Sequence, residues 1–284
     1  MADRRSPFRG SEAIATGRLN RHQLRTRFRP LLPDIYLDRA VEPTLDIRIR
    51  AAWLWSHQQS VIAGAAASAL HGAKWVHAQE TIDLISANTR SPAGIRCRNM
   101  TLLDNEVCIV RGIVATTPER TAFDLARSGD VDSAVERVDA LLNATSIEPA
   151  DIALLAEGHP RQCGLRQLGT VLEFVDGGAE SPRETSLRLI LARTEIPRPQ
   201  TQFTVVDDYG RFVARLDLAW PELLVAAEYD GDQHRTDRNQ YVRDMRRLEM
   251  LANMGWIVIR VVKEDKPAEV VRRVRAAIEL QGGL

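Results

Sequence analysis

Three carboxylates lie near the ends of two consecutive apolar runs in the C-terminal third of the chain. Asp217 lies near the end of the first run, and Glu228 and Asp230 lie near the end of the second, which extends from residue 223 to residue 229. Pro221 lies between the runs and suits a tight turn, because its ring fixes φ. Carboxylates on adjoining buried strands are costly unless a positive charge neutralises them. Because Mg²⁺ prefers oxygen ligands, the pattern predicts a metal site.

These acids belong to a longer motif. Glu228 begins a Glu-Tyr-Asp-Gly sequence, His234 follows it closely, and an Asp-x-x-Arg sequence occupies residues 244–247. The segment resembles the catalytic core of PD-(D/E)XK nucleases, in the branch related to very-short-patch-repair endonucleases, over roughly residues 179–282. The resemblance implies a restriction-endonuclease-like mixed sheet flanked by helices, whose first helix carries a catalytic Glu, here Glu184.

The resemblance also implies roles for individual side chains. Asp217 and Glu228 would hold Mg²⁺ or Mn²⁺, and Asp230 would be a further ligand or would orient water. Glu184 would reach toward this site from the first helix. His234 would act as general acid or base, because histidine titrates near neutral pH. Asp230 departs from the broad superfamily pattern, in which a Lys that helps to activate water often occupies this position. That role is unassigned here, with Gln233 and His234 as candidates.

The arginines of the same region admit two interpretations. Arg215 and Arg247 could contact the phosphates of a nucleic acid, because a guanidinium binds phosphate through two donors. Alternatively, the acids form ordinary ion pairs with neighbouring arginines, and Asp244 pairs with Arg247 on their shared helix. The other arginines available for such pairing are Arg215, Arg235, Arg243 and Arg260.

The N-terminal region predicts a second functional surface. Residues 1–30 contain eight arginines against two acids. Residues 11–16 and 21–26 predict two short helices about Gly17, with Asn20 as the N-cap of the second, which is the outline of a helix-turn-helix. A proline-rich turn after them predicts a small hairpin, or wing. The alternative is a helical subdomain with a solvated arginine face. The second helix would present to DNA the side chains of Arg21, Gln23, Arg25 and Arg27.

The middle region mixes helical and strand patterns. Residues 45–77 have a helical pattern, and residues 81–86, 95–102 and 107–115 predict three strands. The sequence Thr-Pro-Glu-Arg from residue 117 is typical of a helix start, with Thr as N-cap and Pro at the first position. These elements predict a mixed α/β region.

A second family resemblance covers this region and the N-terminus. It rests on residues 11–38, on the sequence SALHG at residues 68–72 and on ATTPERTAFDLAR at residues 115–127. Together these resemble AbiEi-type antitoxin or transcriptional-regulator proteins over residues 8–145. The resemblance implies an N-terminal winged helix-turn-helix.

The chain is therefore predicted to be an α/β protein, α+β overall, in three parts. Residues 1–42 form a basic arm and a winged-helix-like module, residues 43–176 a mixed α/β AbiEi-like region, and residues 179–284 a nuclease-like domain, with a boundary at the glycines that follow residue 176. In the last part, a helix over residues 235–253 is predicted to bury Tyr241, Met245, Leu248 and Ala252.

Composition excludes several other classes of protein. The chain is 44% hydrophobic and 27% charged, as expected of a folded globular protein, and its formal net charge of zero gives no global basic field. Three widely spaced cysteines without a CxxC pair argue against a disulfide framework or a cysteine zinc site. Neither a signal core nor a membrane-spanning run is present, so a cytoplasmic location without a membrane partner is expected.

Two functions from different classes follow from these patterns. The main prediction is a metal-dependent DNA endonuclease that hydrolyses phosphodiester bonds, carries an N-terminal DNA-binding module and acts in phage defence or DNA repair. The alternative is a non-catalytic DNA-binding regulator or antitoxin of a toxin–antitoxin system with a degenerate nuclease domain. An RNA-processing nuclease fits less well, because a helix-turn-helix suits the major groove of DNA better than that of RNA. DNA is the expected partner, a homodimer is compatible with either function, and the alternative adds a toxin.

Overall fold

A computed structural model describes residues 6–87, 90–231 and 238–283. The chain has an α/β fold and divides into two compact units, Met1–Leu172 and Glu173–Leu284. In the part of the chain that is described, the strands form three sheets of three, five and four strands. None of the helices in these ranges is both long and apolar enough to cross a bilayer.

The N-terminal unit begins with a small module of two helices and a three-stranded sheet. The sheet is antiparallel with strand order β1-β3-β2, and β3 therefore pairs with both other strands. The two helices are followed by the short β2–β3 hairpin, which lies where the sequence analysis predicts a wing. The elements are β1 (Phe8–Arg9), α1 (Gly10–Ala15), α2 (Arg21–Arg27), β2 (Phe28–Leu32) and β3 (Ile35–Asp38).

Local sequence explains the start of α2 and the anchoring of the module. Asn20 Oδ1 accepts the backbone N–H of Gln23 at 2.8 Å, and Gln23 Oε1 accepts the backbone N–H of Asn20 at 3.0 Å, which completes a capping box. Leu24 is buried and fixes α2 against the sheet. The Arg9 guanidinium donates to the carbonyl of Leu54 at 2.9 and 3.1 Å, and it thereby caps the C-terminal end of α3 (Leu45–Trp55).

The remainder of this unit is a mixed five-stranded sheet with helices. The strand order is β6-β5-β4-β8-β7, and the pairs β4–β8 and β5–β6 are parallel. The short helix α4 is rich in alanine, and most of its residues are buried. The elements are β4 (Val61–Ala63), α4 (Gly64–Leu70), β5 (Ile82–Ile85), β6 (Ile95–Arg98), β7 (Val107–Val110), β8 (Ile113–Thr116), α5 (Pro118–Ala126), α6 (Val131–Ala144), α7 (Pro149–Glu157) and α8 (Leu165–Phe174).

Two sequence predictions for this sheet differ from the structure. The strand predicted over residues 107–115 is a hairpin of β7 and β8, because Arg111 and Gly112 adopt φ of 52° and 75° and reverse the chain. Strand β4 lies inside the region predicted to be helical. The predicted start of α5 is confirmed: Thr117 is its N-cap, and its Oγ1 accepts the backbone N–H of Arg120 at 3.3 Å.

In the C-terminal unit, the described residues form a four-stranded mixed sheet and the α-helices that pack on it. Its strand order is β12-β11-β10-β9, with β11 and β12 parallel and the other pairs antiparallel. Leucine, valine and isoleucine side chains of α9 and α11 pack with those of β10, β11 and β12 in one core cluster. The elements are α9 (Pro182–Ala192), β9 (Gln200–Val206), β10 (Phe212–Trp220), β11 (Val225–Tyr229), α10 (Arg238–Asn253), β12 (Ile257–Val261) and α11 (Pro267–Leu280).

The prediction of which side of α10 faces the core was wrong. Met245 is 48% exposed and Ala252 is exposed, whereas Leu251 is fully buried against the sheet. The helix instead turns Arg247 toward Glu228, and Arg247 and Leu251 lie one helical turn apart on the same face. The rotation of α10 thus turns Arg247 and Leu251 toward the sheet and leaves Leu248 half-buried, which the apolar pattern did not predict. Tyr241 lies outside the residues whose side chains are described.

Candidate functional site

Asp217 and Glu228 lie side by side on the central strands of the C-terminal sheet. The antiparallel pairing of β10 with β11 places Leu218 opposite Ala227, and Asp217 and Glu228 are the next residues beyond this pair on the two strands. Both side chains line the same cleft, and the charge of Glu228 acts on Asp217. The Asp217 Oδ2 atom also accepts the backbone N–H of Tyr229 at 2.9 Å.

Electrostatic repulsion and burial make Asp217 the most perturbed acid of this region. Burial, together with the negative charges of Glu184 and Glu228, raises the pKa of Asp217 to about 7. The Tyr229 N–H and the charge of Arg247 act in the opposite direction and only partly offset this rise. Near neutral pH, the Asp217 carboxyl therefore exchanges between its neutral and ionised forms.

The neighbouring acids are paired with arginines. Arg247 donates to both oxygens of the buried Glu228 carboxylate, with Nη1 at 2.6 Å and Nη2 at 3.0 Å. Arg260 Nη2 donates to Asp230 at 2.6 Å. Arg247 Nε also lies 3.9 Å from Asp244, a long version of the predicted pair on α10. Glu228 and Asp230 therefore form ion pairs, as the second interpretation of the sequence expects. The partner of Glu228 is Arg247, and the partner of Asp230 is Arg260.

These side chains line one open cleft of about 440 Å³ in the C-terminal unit, which we call the acidic cleft. Arg215 lies at its wall and donates to Glu180 at 2.7 Å. Predicted metal ligands and predicted phosphate-binding arginines thus share one concave surface. The lining residues are Phe212, Arg215, Asp217, Glu228, Tyr229, Asp230, Asp244, Arg247 and Arg260.

The acidic cleft fits a divalent cation only in part. Asp217 and Glu228 supply two carboxylates, but both oxygens of Glu228 are bound by Arg247, which a cation would have to displace. Among residues 6–87, 90–231 and 238–283, no group of three or more His, Cys, Asp or Glu side chains is arranged to hold a metal. His234 and Gln233 lie outside the described residues.

Glu184, the predicted helix-borne acid, is bound within its own helix start. Its carboxylate accepts hydrogen bonds from Ser181 Oγ at 2.7 Å, from the backbone N–H of Glu180 at 2.8 Å and from Gln202 Nε2 at 2.9 Å. Ser181 is the N-cap of α9, as its position before Pro182 suggests. Glu184 contributes negative charge near Asp217 but is not among the lining residues of the acidic cleft.

The second candidate surface is the exposed side of α2. Arg21, Arg25 and Arg27 are exposed, and within the described part of the chain their side chains form no ion pair or hydrogen bond. Gln23 differs from these three, because its side chain is committed to the capping box of α2. Arg39 of the wing donates to the carbonyl of Arg25 at 3.2 Å and holds the wing against the end of α2.

The sequence patterns did not predict a buried charge network in the N-terminal unit. Arg120 on α5 is fully buried and donates to Glu106 at 2.6 Å and to Asp124 at 3.0 Å. Glu106 is also buried and contacts His159 Nε2 and the backbone N–H of Leu103. Burial raises the pKa of Glu106, but the Leu103 N–H, His159 and Arg120 together lower it below its usual value. The network ties α5 to the loop before β7 and to the end of α7.

The comparisons with known proteins match the middle of the chain. Residues 60–174 match the AbiEi antitoxin C-terminal domain family, less than half of the chain. The match contains the five-stranded sheet and the Glu106–Arg120 network. It supports the AbiEi-type part of the predicted resemblance. No finding supports a nuclease-type relationship for the C-terminal unit.

Two curated relatives from Mycobacterium tuberculosis are also similar to the chain. They are the uncharacterized protein MT2308 of strain CDC 1551 / Oshkosh and the uncharacterized protein Rv2248 of strain ATCC 25618 / H37Rv. Each is 30% identical over 169 residues, which cover 58% of this chain and 62% of the relative. The chain thus spans about three fifths of the length of the curated relatives it matches. No solved structure matches the chain.

Proposed function

We propose that the protein is a DNA-binding regulator of the antitoxin type that binds DNA through the exposed side of α2. The observation that carries the proposal is the set of exposed arginines on α2, Arg21, Arg25 and Arg27, whose side chains form no ion pair or hydrogen bond within the described part of the chain. A second helix of a winged helix-turn-helix enters the major groove, where arginines contact bases and phosphates. The match of residues 60–174 to an antitoxin family supports the regulatory role, and a toxin partner is part of the proposal.

The charge balance favours a local DNA-binding surface over a general affinity for polyanions. The whole chain has a formal net charge of zero, so a non-specific field does not attract DNA to every face. The arginines of α2 instead concentrate positive charge on one short helix. Affinity for DNA should therefore fall steeply with salt, because each phosphate contact releases counterions. It should also depend on α2 more than on other arginine-bearing helices.

Gel retardation of a duplex from the protein's own promoter tests this proposal. We expect the double variant Arg21→Ala/Arg25→Ala to lose roughly 100-fold in affinity, because each arginine that contacts a base contributes about 1–3 kcal/mol. The matched control Arg272→Ala/Arg275→Ala removes the same charge from α11, where both side chains are exposed. It should bind like the unaltered protein. Equal losses in both double variants would contradict binding through α2.

We propose a phosphodiesterase active site in the acidic cleft as a second candidate function. The supporting observation is that Asp217 and Glu228 line the same cleft, with the pKa of Asp217 raised to about 7. In this function Asp217 and Glu228 would hold Mg²⁺ or Mn²⁺, which would lower the pKa of an attacking water and stabilise charge on phosphate oxygens. Asp230 would supply a further ligand, and Arg215 and Arg247 would contact the substrate. His234 and Glu184 would support these groups, as the nuclease resemblance implies.

Incubation with supercoiled DNA and Mn²⁺, Mg²⁺ or EDTA tests the second function. A nuclease of this type should nick DNA with Mn²⁺ or Mg²⁺, and both Asp217→Ala and Glu228→Ala should abolish nicking. Asp207→Ala, on the hairpin before β10, is the control and should keep full activity. Nicking that persists in both cleft variants would point to a contaminating enzyme and contradict the cleft assignment.

A further inference from the structure

The rotation of α2 determines which of its side chains can enter a groove. Leu24 is buried, and successive residues of a helix are separated by about 100°. His22 and Thr26 therefore lie at the centre of the exposed face, and Arg21 and Arg25 lie together on one flank of it. Arg27 lies on the opposite flank, beside Gln23. The arginines of α2 thus belong to two sets with different access to DNA.

Hydrogen bonds within the module separate the free side chains from the committed ones. Gln23 accepts the Asn20 N–H at 3.0 Å, and Thr26 Oγ1 donates to the carbonyl of His22 at 2.9 Å. These bonds use the Oε1 acceptor of Gln23 and the hydroxyl proton of Thr26, so Gln23 cannot pair with adenine through its oxygen and its NH2 group together, and Thr26 cannot donate to a base, unless they break. On the flank that carries Arg21 and Arg25, the guanidinium groups keep all their donors free within the described residues.

The spacing of Arg21 and Arg25 matches the spacing of bases in a duplex. Residues i and i+4 lie on the same face and are separated by about 6 Å along the helix axis. Successive base pairs are separated by about 3.4 Å, so a helix that runs along the major groove brings the two guanidinium groups to bases about two steps apart. A guanidinium binds the O6 and N7 acceptors of guanine through two parallel hydrogen bonds.

We infer that Arg21 and Arg25 each recognise one guanine, and that the two guanines lie about two base-pair steps apart in the DNA target. The inference rests on the proposed function, since it names the bases that the same surface recognises. Arg27 contacts the phosphate backbone from the opposite flank and carries no sequence information. Gln23 positions the helix start and does not select a base.

Selection from randomised duplexes, followed by affinity measurements on single-base variants of the selected site, tests the inference. Replacing either guanine should weaken binding of the unaltered protein roughly 5- to 150-fold. The Arg21→Ala variant should lose no further affinity when one of the two guanines is replaced. The Arg25→Ala variant should lose no further affinity when the other guanine is replaced. Arg25→Lys should keep non-specific affinity and weaken discrimination at its guanine less than Arg25→Ala does, because an ammonium reaches the same acceptors without the rigid planar pair of bonds.

Arg27→Ala is the matched control, since it removes one positive charge from the same helix. It should weaken binding to all duplexes about equally and leave both guanine preferences unchanged. The inference is overturned if Arg21→Ala and Arg25→Ala behave like Arg27→Ala, or if the selected site lacks the two guanines. If the Arg21→Ala and Arg25→Ala variants still bind specifically and select the same sequence as the unaltered protein, only this inference is overturned. An unaltered protein that binds no duplex would overturn the proposed function and the inference with it.

Discussion

Replacing Arg120 with methionine is expected to lower the free energy of unfolding of the N-terminal unit by about 3–5 kcal/mol, the cost of leaving one partner of a buried ion pair uncompensated. Arg120 is fully buried and lies 2.6 Å from Glu106, which is 1% exposed. Asp124 would keep its bonds to Arg127, at 2.8 and 3.1 Å. Glu106 would retain only His159 and the Leu103 N–H as partners among the described residues. Most of the lost stability therefore comes from its buried negative charge, which no arginine would then neutralise.

Two further variants separate the loss of the ion pair from a loss of packing. Adding Glu106→Gln to Arg120→Met removes the uncompensated charge while its side-chain oxygen can still accept the Leu103 N–H, so the double variant should recover much of the lost stability. Arg111→Met removes an arginine that is 58% exposed and lies 3.6 Å from Asp46, itself 66% exposed, and should cost less than about 1 kcal/mol. Urea unfolding followed by hydrogen exchange of α5 and β7 peptides measures each variant. A double variant no more stable than Arg120→Met would mean that methionine disrupts packing.

The parts of the fold that could be predicted from sequence are those fixed by local interactions. Three helix N-caps are local in this sense, because each side chain accepts the backbone N–H of the residue three positions further along the chain. They are Asn20, Thr117 and Ser181. The hairpin of the wing follows from turn residues in the same way. The adjacency of Asp217 and Glu228 was also predictable, since a short turn joins their strands and sets the register.

Contacts between distant segments could not be predicted from the patterns. Glu106 lies in a polar stretch and is bound by Arg120 and by His159, which is 53 residues away. Nothing in the spacing of such residues distinguishes a buried charge from a solvated one. The pairing of Glu228 with Arg247 is similar, because it depends on the rotation of α10 against the sheet. The apolar residues of α10 alone indicated a different rotation.

The acidic cleft shows how a predicted grouping of side chains can leave the chemistry open. Asp217 and Glu228 both line the cleft, but the partner that neutralises Glu228 in the structure is an arginine. A guanidinium and a divalent cation both satisfy a carboxylate, and the sequence contains candidates for both. Measurements that separate the two must therefore probe the carboxylate that remains without an ion pair in the described residues, Asp217.

Replacing Asp217 with asparagine is expected to stabilise the C-terminal unit above pH 5. Aspartate in an unfolded chain has a pKa of about 3.9, and the folded state raises the pKa of Asp217 to about 7. Below both values the carboxyl is neutral in either state. As the pH rises, the unfolded chain ionises first, so the stability of the unaltered protein falls until the pH exceeds the folded pKa. The gain from Asp217→Asn should grow between pH 4 and 7 and reach at most about 4 kcal/mol.

The Asp207→Asn variant provides a control of opposite sign on the same hairpin. Hydrogen bonds from the backbone N–H of Arg211, and from the Arg211 side chain, lower the pKa of Asp207. Its contribution to stability is present at neutral pH and is lost in acid, so Asp207→Asn should destabilise at pH 8 and have little effect near pH 3. Urea unfolding, resolved by hydrogen exchange of β9 and β10 peptides, would measure both variants. If Asp217→Asn gains the same stability at pH 5 and pH 8, the carboxyl does not titrate between them, and the rise in its pKa through burial and repulsion at the acidic cleft is contradicted.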